Sequence, residues 1–237
     1  QGIGFGNVGV GMTTGQTQIT GGGPVIINGI EGGGATSFGL FFDADATITT
    51  DSLGGNIMLV ANSIFNFGTI ETPDSNMVTI RPHTAGVTIH AGVMSEIAGG
   101  PLMLSDAELD LIQTGHLKIG SVQTDSIKVF SDITRIDTLD ITLLAGGNIV
   151  LDTGAIVMSS GNLLLDCGPS PKAIMPLTYG TEIETDTLSF GSDLLFNIAG
   201  IIPDTLHDQL HVNGVINLTG VDLKFQVVIF LHLQTPS

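Results

Sequence analysis

Apolar and polar residues alternate along this chain in short runs, and nearly every run stops at Gly, Asn, Asp or Pro. Runs at Ala46–Thr49, Ile57–Val60, Ser63–Phe67, Met77–Ile80 and Val87–His90 predict strands, since a strand turns successive side chains to opposite faces. Their connectors are too short for crossover helices. Parallel pairing must then come from coiling, each turn of chain stacking on the one before. Three stretches repeat one phrase, Gly55-Asn56-Ile57-Met58-Leu59-Val60, Gly147-Asn148-Ile149-Val150-Leu151-Asp152 and Gly161-Asn162-Leu163-Leu164-Leu165-Asp166. A chain that rewrites corner and strand in this way describes a β-solenoid.

One segment departs from that pattern. Ser105 with Glu108 three residues on forms a capping box, Leu104 and Leu109 take the positions of a hydrophobic staple, and Gly115 stands where a helix stops. The spacing predicts one short capped helix over 105–113. Strands resume at Leu117–Ile119, Ser126–Val129 and Leu139–Leu143, then at Thr187–Phe190, Asp193–Ile198, Leu210–Val212, Val215–Leu218 and Leu223–Phe225. The prolines at 169, 171 and 176 divide a solenoid body over 1–168, with a Gly-rich start over 1–40, from a strand repeat over 169–237 that continues the same coil. Gly21-Gly22-Gly23 and Gly32-Gly33-Gly34 read as corners that need positive φ.

Composition narrows what such a coil could do. Lys and Arg total 6 against 23 Asp and Glu, a formal charge of −17, so phosphate backbones and anionic headgroups are repelled and nucleic acid is not an expected partner. No membrane insertion is expected either, because the apolar run Phe225–Leu231 is far too short to span a bilayer. That run reads instead as a buried or self-pairing strand, with Leu223, Phe225, Val227, Ile229 and Leu231 as the self-association residues. Gln1–Gly6 has neither the basic start nor the apolar core of a signal peptide, as in a processed product or an excised piece.

Candidate chemistry is sparse. Asp43 and Asp45 would share a face if their segment were a strand, and with Asp51 they form the candidate metal ligands, for weakly bound calcium only. His207 and His211 flank Asp208, but the run reads as turn then strand rather than as a metal-binding helix. Cys167 stands alone, without a base to make it a nucleophile, and reads as a core or turn residue. No catalytic residue is assigned and no cofactor is expected.

The order of phrases is itself recognisable. Gly39-Leu40-Phe41-Phe42, Ala46-Thr47-Ile48, Gly54-Gly55-Asn56-Ile57, Val78-Thr79-Ile80-Arg81-Pro82, Leu104–Leu109 and Leu117-Lys118-Ile119-Gly120 together resemble the large bacterial β-strand-repeat surface proteins related to filamentous haemagglutinins. The segment from Pro203 to Gly214 resembles the closing repeat of autotransporter passenger domains, with His207 where that repeat carries an aromatic before Asp-Gln-Leu. The resemblance implies an all-β, right-handed parallel β-helix, secretion, and exposure at a bacterial cell surface. The function expected is that of a non-catalytic structural or adhesive rod, associating end to end. The alternative is a glycan-binding or glycan-cleaving β-helix, which the scarcity of Tyr and Trp disfavours.

Overall fold

The computed structural model describes residues 8–13, 17–32, 37–51, 55–93, 100–135, 139–168, 171–177, 181–200 and 207–227, and of residues 17–21 the backbone alone. The chain is a parallel β-solenoid. Its first turn consists of β1 (Val8–Met12), β2 (Thr17–Gly21) and β3 (Val25–Asn28). The second consists of β4 (Phe38–Phe42), β5 (Ala46–Thr50) and β6 (Ile57–Val60), and the third of β7 (Ile64–Asn66), β8 (Thr69–Glu71) and β9 (Met77–Arg81). Each strand pairs in parallel with the third strand after it, β1 with β4 and β4 with β7, β2 with β5 and β5 with β8, β3 with β6 and β6 with β9. A period of three strands with no antiparallel return gives a coil of three walls.

The period slips once. β10 (Ile89–Ala91) is followed by β11 (Leu102–Leu104), the helix α1 (Asp106–Asp110), β12 (Ile112–Gln113) and β13 (His116–Gly120). The next turn brings β14 (Ile127–Val129), β15 (Ile133–Arg135) and β16 (Asp140–Leu144). It is β11 that lies beside β7, and β10 is inserted beyond it, hydrogen-bonded to β11 on one side and β14 on the other. The first wall therefore gains one strand, about 4.8 Å of height. The third wall does not, since β9, β13 and β16 pair directly. In the second wall β12 pairs with β8, and its sheet stops there without reaching β15. The helix packs against both β12 and β15 at that break.

After the slip the coil is regular again, through β17 (Ile149–Leu151), β18 (Ile156–Met158), β19 (Asn162–Asp166) and β20 (Ile174–Pro176). β21 (Thr181–Phe190) runs through the second and third walls without a corner, pairing first with β18 and then with β19. β22 (Leu194–Ile198), β23 (Leu210–Asn217) and β24 (Leu223–Val227) finish the described coil. β20 stacks on β17, so the walls pass across the proline-marked segment with the same pairing.

The interior is built of columns. Ile89, Ile127, Ile149 and Ile174 lie one above another in the first wall, and Leu117, Ile141, Leu163 and Leu188 in the third, all fully buried. A rung buries its apolar face only against its neighbours, so each column couples the stability of one turn to the next.

The repeated phrases explain how the turns grip each other. A Cβ on Gly147 would lie 1.9 Å from the Asp125 carbonyl oxygen one turn earlier, so only glycine fits. Gly161 has φ +97° and similar crowding, at 2.2 Å from the Leu139 oxygen. Two asparagines work in the other direction: the Asn56 and Asn148 side-chain oxygens accept from the Met77 and Ala173 N–H groups of the following turn, at 2.9 and 3.0 Å, whereas Asn162 donates back to Asp140 of the preceding turn. Gly22 and Gly23, expected at positive φ, are not left-handed; Gly33 and Gly34 lie outside the described residues.

The helix begins where the capping box places it. The Ser105 hydroxyl accepts from the Glu108 N–H, the Glu108 carboxylate accepts from the Ser105 N–H, and Leu104 and Leu109 are buried. It ends sooner than the expected 105–113. Leu111 caps it and Ile112 already lies in β12, paired with Ile70, because a buried place in the second wall outweighs one more helical turn. Gly115 is not a helix stop but a close approach, 2.0 Å from the Asp74 oxygen for an added Cβ.

Candidate functional site

The last described turn of the coil, β22 to β24, is the strongest candidate. β24 lies on β22 with Leu223 opposite Leu194, Phe225 opposite Phe196 and Val227 opposite Ile198. Leu194 is buried, so these three side chains continue an inner column. Nevertheless Leu223 is 48% exposed, Phe225 60% and Val227 59%. Ile216 on β23, opposite the buried Leu188, is exposed for the same reason; Val215, opposite the outward Thr187, and Leu218 are exposed as well. Ile229 and Leu231 lie outside the described residues.

Polar contacts hold this last turn in place. Asp193, just before β22, accepts from the Lys224 ammonium of β24, and that hydrogen bond holds the carboxyl below its usual range. The buried carboxylate of Asp208 accepts from the backbone and side-chain nitrogens of Asn197, at 2.8 and 2.7 Å. His207 forms an antiparallel bridge with Ile198, and the exposed His211 contacts Gln209 at 3.0 Å. The Asp-Gln-Leu phrase thus acts as a clamp onto β22. The Phe196 and Phe225 rings stack at 5.9 Å, extending the column outward.

Charge is distributed unevenly along the chain. The first 30 residues contain no Asp, Glu, Lys or Arg, and residues 209–237 contain only Asp222 and Lys224. Residues 31–208 carry the whole net charge of −17. The first described turn, β1 to β3, carries no charged residue, whereas the turn of β22 to β24 includes Asp193, Asp208, Asp222 and Lys224. The exposure of Val215, Ile216 and Leu218 was not legible in the strand pattern, because it depends on what lies beside their turn.

The carboxylates considered for calcium fall in two places. Asp43 precedes a turn at Ala44–Asp45, with its carboxylate accepting from the Ala44 N–H at 2.8 Å, so the segment is not the strand that would put both side chains on one face. Asp51 follows β5, at the opposite corner of the second wall, about 20 Å of extended chain from Asp45. Among the described residues no group of three or more His, Cys, Asp or Glu could hold a metal ion.

Two other features have chemical character. A polar recess of about 720 Å³ opens where successive turns meet, lined by Thr50, Glu71, Asp74, Gln113 and Thr114. Its residues come from three turns, which no local motif could announce. Cys167 is fully buried, and burial raises its thiol pKa, which keeps it protonated and inert. Comparison with family models, with curated proteins and with solved structures found no match.

Proposed function

We propose that the chain is a non-catalytic structural or adhesive β-solenoid of a bacterial cell surface, a stiff rod able to serve as a filament subunit. The observation that carries this reading is the stacking of the third wall, whose strands pair without a break from β3 through β6, β9, β13, β16 and β19 to β21. In that wall a buried column of Ile57, Val78, Leu117, Ile141, Leu163 and Leu188 runs from turn to turn. A stack of hydrogen-bonded parallel strands resists bending along its length, and its long acidic flanks stay soluble and apart from one another. The resemblance in phrase order to bacterial surface β-repeat proteins supplies the location. Negative-stain electron microscopy of the purified chain tests it: rods of uniform width, single or joined, are expected, and compact round particles would overturn it.

The polar recess favours a second reading, a glycan-binding wall, because hydroxyl, carboxylate and carboxamide groups at Thr50, Glu71, Asp74 and Gln113 converge on one opening. A glycan array decides it. Binding that is lost in both Glu71→Gln and Gln113→Ala establishes the recess as a receptor site, and silence across the array removes this reading.

A further inference from the structure

We infer that two copies of the chain lie side by side, the first wall of one packed face to face against the first wall of the other along the strip from Lys128 to Leu195. This rests on the rod reading and adds to it the face by which two rods meet.

The three walls differ on their outer sides. In the second wall the outward positions are Thr49, Glu71 and Gln113, then Thr134, Val157 and Glu184. In the third they are Lys118, Thr142, Leu164 and Ser189. In the first wall the outward row is Lys128, Val150, Met175 and Leu195, bordered by Phe130 and Leu177, all part-exposed. Here β17 reads Ile-Val-Leu, β20 Ile-Met-Pro, and β22 opens with Leu-Leu-Phe. Unbroken apolar runs of this kind belong to strands covered on both faces, yet this outer row meets solvent. Met103, in the same row, is already buried, so the open strip begins beyond it.

Charge selects the occupant. No described strand of the first wall contains Asp or Glu, whereas β8, β16, β19 and β21 of the other walls do. Within two residues of the strands β10, β14, β17, β20, β22 and β24 stand Asp125, Asp152, Asp193 and Asp222, offset by Lys128, Lys172 and Lys224. Four against three leaves this face one charge from neutral on a chain carrying −17. Two copies that met by any other wall would oppose carboxylates; by this one they bury apolar surface. A copy also offers ridges at the same spacing of about 4.8 Å, and stacked sheets lie about 10 Å apart. A twofold axis running across the wall between β17 and β20 sets Val150 against Met175 and Lys128 against Leu195, so Lys128 does not meet its own copy. Such a contact closes as a dimer. The strip from β10 to β24 measures about 30 Å by 15 Å, roughly 450 Å² per copy against the ~800 Å² of a standard interface, so the dimer is weak and reversible.

Sedimentation of the full chain from low to high micromolar concentration tests this. The wild type is expected to pass from monomer to dimer, more readily at higher salt, which screens the acidic flanks. Met175→Glu is expected to stay monomeric, while Thr142→Glu, the same change of charge on the third wall, keeps the dimer; far-ultraviolet circular dichroism checks that both fold. A short bismaleimide should crosslink Met175→Cys into dimers and leave Leu164→Cys, on the third wall, monomeric, with the wild type, whose Cys167 is buried, as the unreactive control. Monomer at every concentration, species larger than a dimer, crosslinking of Leu164→Cys as readily as of Met175→Cys, or a dimer that salt weakens would each overturn the proposal. Electron microscopy separates the two levels: single-width rods of Met175→Glu leave the rod reading standing whatever the sedimentation result, and round particles in wild type and variant alike sink that reading itself.

Discussion

The guanidinium of Arg135 donates to the carbonyl oxygen of Ile112 at 2.6 Å, across the break where β12 and β15 fail to pair. Its other terminal nitrogen donates to the Leu109 carbonyl and lies 3.5 Å from the Asp110 carboxylate. Arg135 is 2% exposed. One buried side chain thus satisfies the Ile112 carbonyl, which a neighbouring strand would otherwise have satisfied, and adds a second donor to the Leu109 carbonyl at the helix end, which also accepts from the Leu111 N–H. The insertion of β10 opens the second wall, and α1 with Arg135 fills the opening.

Arg135→Met should therefore destabilise the coil by about 2 kcal/mol, mainly the cost of leaving the buried Ile112 carbonyl without a donor. Arg135→Lys should recover only part of that loss, because an ammonium lacks the fork that reaches both oxygens. Urea denaturation followed by circular dichroism measures both. A midpoint unchanged in Arg135→Met would show that the break does not need its plug.

The capping box makes a graded prediction. Ser105→Ala removes the cap and should cost about 1 kcal/mol. Glu108→Ala should cost more, about 2 kcal/mol, because the Glu108 carboxylate also accepts from the Asn66 N–H of β7 at 3.1 Å. Equal losses in the two variants would mean that the bond to Asn66 contributes nothing.

Within the repeated phrase the glycine should matter more than the asparagine. Gly147→Ala drives a Cβ into the Asp125 carbonyl oxygen and should cost about 3 kcal/mol through backbone displacement. Asn148→Ala gives up one hydrogen bond to Ala173, about 1 kcal/mol. Thermal midpoints of the two variants give the order directly.

His90 makes stability depend on pH. It lies in the outward row of the inserted strand, its ring 4.7 Å from that of Phe130, opposite Met103 on one side and Lys128 on the other. Burial, and then the Lys128 charge, lower its pKa from 6.5. The unfolded chain takes up a proton near pH 6.5 that folded His90 resists, so acidification through that range favours unfolding. His90→Asn should flatten this part of the stability profile between pH 7.5 and about 5.5. A wild-type profile that rises on acidification relative to the variant would reverse the assignment.

How much of this was legible beforehand depends on the range of each interaction. Strands of four or five residues, such as Ile57–Val60 and Met77–Arg81, carry enough alternation to be read. Among three-residue strands, β7, β10 and β14 sit in longer alternating runs and were readable, whereas β11, β15 and β18 were not read, and only their neighbours in adjacent turns make them strands. The helix start was readable because a capping box is local. Its end was not, since Ile112 answers to Ile70, far away in the chain.

The sequence by itself determined the repeating unit. Alternation sets the strand, glycine and asparagine set the corner, and a chain without crossover helices can satisfy such strands only by coiling. Tertiary structure alone decided where the coil departs from its period and which inner faces are covered. The insertion of β10, the plug at Arg135 and the open column at Leu223, Phe225 and Val227 all depend on which turn lies above and which below. The physical reason is that one rung has no core of its own: whether its inner face is buried, bridged or bare is settled by its neighbours.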